Sequence, residues 1–252
     1  MVRLMTRARI RVLNAILHRC AGVTCVSRSL AANLSQKEGL ATATAVVVSN
    51  GVDADDVSVE DLRAFVDQFQ LAKSFPVLAM VGVMVWDWKA AGMKILLSAL
   101  PTIQKQYPDV ALVLAGDGAY RKELEDYAAQ TGCARSVVFT GNLDNPAIAL
   151  AAANIYVHVA ANEACPMAVL EAMQAGLPVV ASREGGTGEL IDDQETGLLV
   201  ASDPTEVAGG IIRLLQDHRL AALLGCTAKA RCNAAFTWEA ICTQYLALYA
   251  RI

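Results

Sequence analysis

Two glutamates eight residues apart, Glu163 and Glu171, are the side chains whose placement points most directly to chemistry. They stand in Asn162-Glu163-Ala164-Cys165-Pro166-Met167-Ala168-Val169-Leu170-Glu171, followed by Gly176-Leu177-Pro178-Val179-Val180. Pro166 suits the first helical position, where a missing N–H costs nothing. Gly176 suits the stop of that helix, and Pro178 the entry to the next strand. Glu163 is therefore expected in a loop at a strand end, and Glu171 about a turn and a half inside the helix. The N–H groups of Met167 and Ala168, at the helix start, lack intrahelical acceptors and form a site for diphosphate oxygens. A loop carboxylate can accept hydrogen bonds from sugar hydroxyls, and one inside the helix can clamp a ribose diol. The spacing fits a plainer arrangement equally well. Glu171 and Gln174 would then be the wet face of a helix, and Glu163 a loop charge near its positive end.

The elements that must hold these residues alternate in type along nearly the whole chain. Apolar runs of strand length fall at Val23–Val26, Ala45–Ser49, Val77–Val83, Val110–Ala115, Val137–Phe139, Ile155–Val159 and Pro178–Ala181. Helical patterns lie between them, near 27–38, 59–70, 89–107, 119–131, 145–152, 166–175, 204–217 and 219–233. Buried strands separated by crossover helices predict an α/β fold, a parallel sheet with helices on both faces. Ligands of such sheets bind at the carboxyl ends of the strands. Helix, strand and helix over Arg9–Leu40 cannot bury their own faces, and read as the remnant of an amino-terminal domain.

Composition narrows the function. Hydrophobic residues make up 55% and charged residues 18%, and the mean hydropathy is +0.38, yet no run of ~18 residues lacks a charge or breaker. A face built to meet another domain accounts for the apolar excess better than a membrane span. Residues 1–37 carry seven basic groups and no acid, whereas the remainder carries 14 basic against 25 acidic. Nucleic acid is a poor partner for so acidic a body. The basic start offers peripheral contact with an anionic membrane, but also reads as a surface helix with Arg7, Arg11, Asn14 and His18 outward and Ile10, Leu13 and Leu17 inward. Seven scattered cysteines, with no C-x-x-C pair, point to a reducing cytoplasm and away from a metal cluster.

The ordered motifs resemble the retaining glycosyltransferases of family 4, which have the GT-B fold. Glu163 and Glu171 match that family's E-x7-E pattern, and Leu170-Glu171-Ala172-Met173 and Gly176-Leu177-Pro178-Val179-Val180 flank it as expected. Val26-Ser27, Leu30-Ala31 and Asn50-Gly51-Val52-Asp53 look like the family's crossing into its second domain. Leu114-Ala115-Gly116-Asp117-Gly118, Val138-Phe139-Thr140-Gly141, Gly185-Gly186 with Glu189, Gly197-Leu198-Leu199-Val200 and Phe236-Thr237-Trp238 follow in order. The match runs over about residues 22–250. It implies a Rossmann-like nucleotide-sugar domain over 46–235, the end of an acceptor domain over 1–45, and a carboxyl-terminal helix over 236–252 crossing back to it.

By this resemblance the donor is a UDP- or GDP-sugar, the acceptor a hydroxyl, the anomeric configuration is retained, and no metal or other cofactor is required. Glu171 would bind ribose, Glu163 the transferred sugar, and Lys89 the leaving diphosphate. Gly116, Asp117, Gly141 and Asn142 would border the base, although strand-to-helix turns alone explain the first two. His158 shares a strand face with Tyr156 and is expected to be a satisfied core histidine. The family's diphosphate arginine has no counterpart, because Val83 follows Gly82, and Pro166 has no N–H to offer. A partner subunit or missing domain would have to supply the acceptor pocket.

Overall fold

The computed structural model describes residues 7–251. It is an α/β structure with a two-stranded and a six-stranded parallel sheet. Helix α1 (Arg7–Leu17), strand β1 (Thr24–Cys25), helix α2 (Arg28–Gln36) and strand β2 (Val46–Val47) form the small amino-terminal unit, in which β1 and β2 pair. The strand expected over Ala45–Ser49 is thus shorter, and joins β1 in place of the large sheet.

In α1 the inward stripe is Ile10, Asn14 and Leu17, each half-buried, whereas Leu13 is exposed. Asn14 therefore does not sit outward with Arg7 and Arg11. Its amide donates to the Gly39 carbonyl at 2.9 Å and accepts from the Ala41 N–H at 2.7 Å, which ties α1 to the turn after α2.

The large sheet contains β3 (Val77–Val81), β4 (Ala111–Ala115), β5 (Val137–Gly141), β6 (Ile155–His158), β7 (Val179–Ser182) and β8 (Leu198–Val200). Its spatial order, β5-β4-β3-β6-β7-β8, reverses between β3 and β6. That reversal opens a crevice at the carboxyl ends of the two central strands, where ligands of such sheets bind. β8 was not among the expected strands. Three residues at a sheet edge carry too little apolar pattern to stand out from a loop.

Helices α3 (Val59–Gln68), α4 (Asp87–Gln104), α5 (Arg121–Gln130), α6 (Ala147–Ala151), α7 (Met167–Gln174), α8 (Thr187–Leu190), α9 (Pro204–Gln216), α10 (His218–Ala235) and α11 (Trp238–Tyr249) complete the order. Strand side chains alternate between faces. Leu78, Met80, Leu112, Leu114, Val157 and Val180 pack with α4, α9 and the start of α10. Ala79, Tyr156, Val179 and Ala181 pack with α7 and the later half of α10, while Val77, Val113 and Ala115 pack with Phe65 and Ala149 of α3 and α6. Both faces are covered, which explains the strands' continuous apolar runs. Among the described residues no helix is long and apolar enough to cross a membrane.

Candidate functional site

The crevice holds a cavity of about 380 Å³ lined by Gly82, Val83, Lys89, Glu163, Met167, Ala168 and Glu171 among others. A larger cleft of about 600 Å³, bordered by Gln68, Ser74, Val110 and Val137, lies at the amino ends of the strands. The smaller cavity is the candidate site, because strand carboxyl ends and helix amino ends converge only on its side of the sheet.

Helix α4 brings in Lys89. It lies in the first turn of that helix and not in the preceding loop, since α4 begins at Asp87. Gly92, one turn on, lets α4 press on the end of β6, where a Cβ would lie 1.9 Å from the Val159 carbonyl oxygen. Lys89 is thereby held over the Glu163 loop, and its Nζ stands 2.8 Å from Glu163 Oε1. These side chains are only 19% and 14% exposed. The two residues read separately from the sequence form an ion pair.

The Glu163 loop is fixed from beneath. Gly186 donates its N–H to the Glu163 carbonyl at 2.7 Å, and a Cβ on Gly186 would meet the Ala164 carbonyl oxygen at 1.6 Å. Asn50 donates to the Cys165 carbonyl at 3.1 Å, so the segment linking the two sheets also holds this loop. The amino-terminal unit is anchored nearby. Glu189 of α8 accepts from the N–H groups of Arg28 and Ser29, at 2.9 and 2.7 Å, and its charge sits at the positive end of α2.

Pro166 is the N-cap of α7 and not its first helical residue. Bonding to the Pro166 carbonyl begins at Val169 and Leu170, so the Met167 and Ala168 N–H groups precede the helical ladder and border the cavity. Glu171 is half-buried, and burial first, then the charge of Asp55, pushes its carboxyl above the usual range. Gln174 is 8% exposed with Oε1 unpartnered, so these residues do not make a wet helix face.

Gly116, Asp117, Gly141 and Asn142 lie at the neighbouring ends of β4 and β5 and do not line this cavity. Asp117 accepts from the Gly118 N–H and from Arg121, and these bonds, the first being larger, hold its carboxyl below the usual range. Its carbonyl accepts the Met84 N–H at 2.8 Å, while the Gly116 N–H donates to Gly141 at 2.9 Å. This backbone network supports the Gly82–Trp86 loop. Arg121 escaped the sequence reading. It bridges Asp117, Glu125 and the Phe139 carbonyl, and only its i,i+4 spacing from both acids signals it.

His158 is buried as expected, but not satisfied. Its Nδ1 lies 3.3 Å from the Tyr156 hydroxyl, and its Nε2 has no partner. Among the described residues no cluster of three or more His, Cys, Asp or Glu side chains is arranged to hold a metal ion.

The family model for glycosyl transferases group 1 matches residues 75–217. A GDP-mannose-dependent α-(1-6)-phosphatidylinositol monomannoside mannosyltransferase of Mycolicibacterium smegmatis is 32% identical over 188 residues, 69% of this chain and 48% of that protein. Glycogen synthase of Mycobacterium tuberculosis is 28% identical over 232 residues, 90% of this chain and 53% of its own. The chain thus spans about half the length of these curated relatives. The Anabaena protein HepE, solved with UDP and glucose, superposes with a TM-score of 0.85 at 26% identity, covering 98% of this chain and 68% of that one. The matched segment takes in the six strands of the large sheet and the whole cavity wall from Gly82 to Glu171, and on that footing the chain belongs to the group 1 glycosyltransferases.

Proposed function

We propose that the chain is the donor-binding half of a retaining family 4 glycosyltransferase, which moves a sugar from a UDP- or GDP-sugar to an acceptor hydroxyl. The convergence of Lys89, Glu163, Glu171 and the start of α7 on one cavity carries this reading. The nucleoside lies toward Glu171, whose carboxylate binds the ribose diol. The diphosphate lies against Lys89 and the N–H groups of Met167 and Ala168, with a helix amino terminus behind it. Glu163 takes hydroxyls of the transferred sugar.

Donor cleavage places charge on the departing diphosphate, and Lys89 with the α7 amino terminus stabilises that charge as it forms. Retaining glycosidases pair an acid with a carboxylate nucleophile. Glu163 is bound to Lys89 and is assigned to sugar binding, so leaving-group stabilisation is the assigned mechanism, and it uses no metal. Residues 1–45 would be the end of an acceptor domain and 236–252 the helix that crosses back to it. The setting is cytoplasmic polysaccharide or glycoconjugate synthesis, at the inner face of a membrane through the basic amino-terminal segment. Relatives that use a nucleotide-bound mannose, and a neighbour holding UDP, support the donor class.

The test incubates the purified chain with labelled UDP- and GDP-sugars and mixed acceptors, with and without a related amino-terminal domain. Donor binding, with transfer only in the combined sample, is the expected result. Val83, 45% exposed at the cavity edge where a second cation would strengthen the clamp, favours a second reading, a non-catalytic donor-binding subunit. No transfer under any combination, with donor binding intact, would select it.

A further inference from the structure

Tyr156 and His158 stand two residues apart on β6, on the face toward α7, and both are buried. The Tyr156 hydroxyl and His158 Nδ1 are 3.3 Å apart. A buried phenol proton needs an acceptor, and among the described residues the imidazole is the one that Tyr156 reaches. Nδ1 then accepts, and the neutral ring carries its proton on Nε2. Fixing one ring nitrogen in this way sets the role of the other.

That second nitrogen has no partner, although the residue is only 3% exposed and lines the same cavity as Lys89 and Glu163. An orphaned buried N–H is destabilising, so a fold keeps one where something else completes it. The candidate acceptors already on the cavity wall, Glu163 and Glu171, do not reach it. The missing acceptor therefore arrives with the ligand. Lys89 is the cation on this cavity wall, and a diphosphate oxygen can accept from its ammonium and from Nε2–H together.

We propose that His158 Nε2–H is a donor-binding group that hydrogen-bonds a diphosphate oxygen of the nucleotide sugar, with Tyr156 as the positioning residue that fixes its tautomer. This rests on the donor-site reading above. A neutral donor suits the position, because it binds the leaving diphosphate without competing with Lys89 for Glu163. Both ends of the relay are aligned before the ligand enters.

The test has two arms on the whole chain. In the first, His158→Phe and His158→Gln are titrated calorimetrically with UDP, GDP and the matching nucleosides. The Phe variant is expected to lose about tenfold in diphosphate affinity with nucleoside affinity unchanged, and the Gln variant to recover part of it. In the second, long-range proton–nitrogen spectra of the wild type, assigned by loss of the signal in His158→Gln, report the tautomer. Protonated Nε2, shifting with the diphosphate and not with the nucleoside, is expected. A proton on Nδ1, or an unmoved resonance in a chain that does bind diphosphate, overturns the inference and leaves the donor site standing. No binding of either diphosphate by the wild type overturns both. The spectral arm decides the matter even where the Phe variant does not fold.

Discussion

Lys89 Nζ and Glu163 Oε1 are 2.8 Å apart on the wall of the candidate cavity, one from the first turn of α4 and the other from the loop after β6. A nucleotide sugar bound as proposed would meet partners that already satisfy each other. Both are largely withdrawn from solvent, so either charge left without the other would be buried and uncompensated. The pair holds the cation in place, but it also competes with a bare diphosphate for that cation.

Neutralising Glu163 should then separate two affinities that usually move together. Glu163→Gln is expected to bind UDP or GDP severalfold more tightly, because Lys89 is released. It should lose the preference for the intact sugar nucleotide. Parallel calorimetric titrations of diphosphate and sugar nucleotide check this, and a parallel loss of both would mean that the ion pair orders the site.

Glu171 should show opposite effects on stability and on binding. Its native pKa is raised, by burial first and then by Asp55, above a starting value of 4.5. The unfolded chain therefore loses this proton first, and the carboxylate's penalty grows as pH rises from 4.5 through the native value. Glu171→Gln should remove that decline, gaining stability over the wild type at neutral pH while weakening nucleoside binding about tenfold. Urea denaturation across pH and a nucleoside titration measure the two effects.

His158 titrates with the reverse sign. Burial, and then the charge of Lys89, bring its native pKa from 6.5 down to about 3. The unfolded state thus takes up the proton first as pH falls, so the stability is whole above 6.5 and is lost on the way down towards 3. Tyr156 on the same strand, Lys89 on α4 and Glu163 on the loop all face this site. His158→Gln should flatten the acid limb by up to about 1.4 kcal/mol per pH unit, measured by urea denaturation between pH 7 and 4.

The Glu189 carboxylate at the start of α2 should hold the amino-terminal unit in place. Glu189→Ala removes the acceptor from the Arg28 and Ser29 N–H groups. A cap of this kind is worth about 1 kcal/mol. Faster amide exchange in α2, with the large sheet unaffected, is the expected readout.

Val83 lines the cavity and is 45% exposed, and its side chain carries no charge. Val83→Arg should raise diphosphate affinity about tenfold if the guanidinium reaches the phosphates. Calorimetry on the variant against the wild type decides it.

The sequence reveals this fold where periodicity is strong and hides it where contacts are distant. Val77–Val81, Ala111–Ala115 and Ile155–His158 are legible because a strand buried on both faces must be continuously apolar. Leu198–Val200 is not, since an edge strand of three residues has no pattern to show. Asn14 defeats a reading by polarity alone, because its amide binds backbone 25 and 27 residues away. In the site, Glu163 and Glu171 could be placed by their local order, and Pro166 to within one position of the helix start. The Lys89–Glu163 bond joins residues 74 apart and depends on Gly92 fitting against β6. The orphaned nitrogen of His158 is likewise a property of packing, as no local pattern separates a satisfied core histidine from an incomplete one.

A nucleotide sugar should bind at the carboxyl ends of β3 and β6. Amide chemical shifts, followed while UDP- or GDP-sugar is added to the chain, test it most directly. Saturable shifts concentrated at Gly82, Val83, Met167, Ala168 and Glu171, which are among the residues lining that cavity, are expected. Shifts confined to the cleft around Gln68, Ser74 and Val137, or none at any donor concentration, would contradict it.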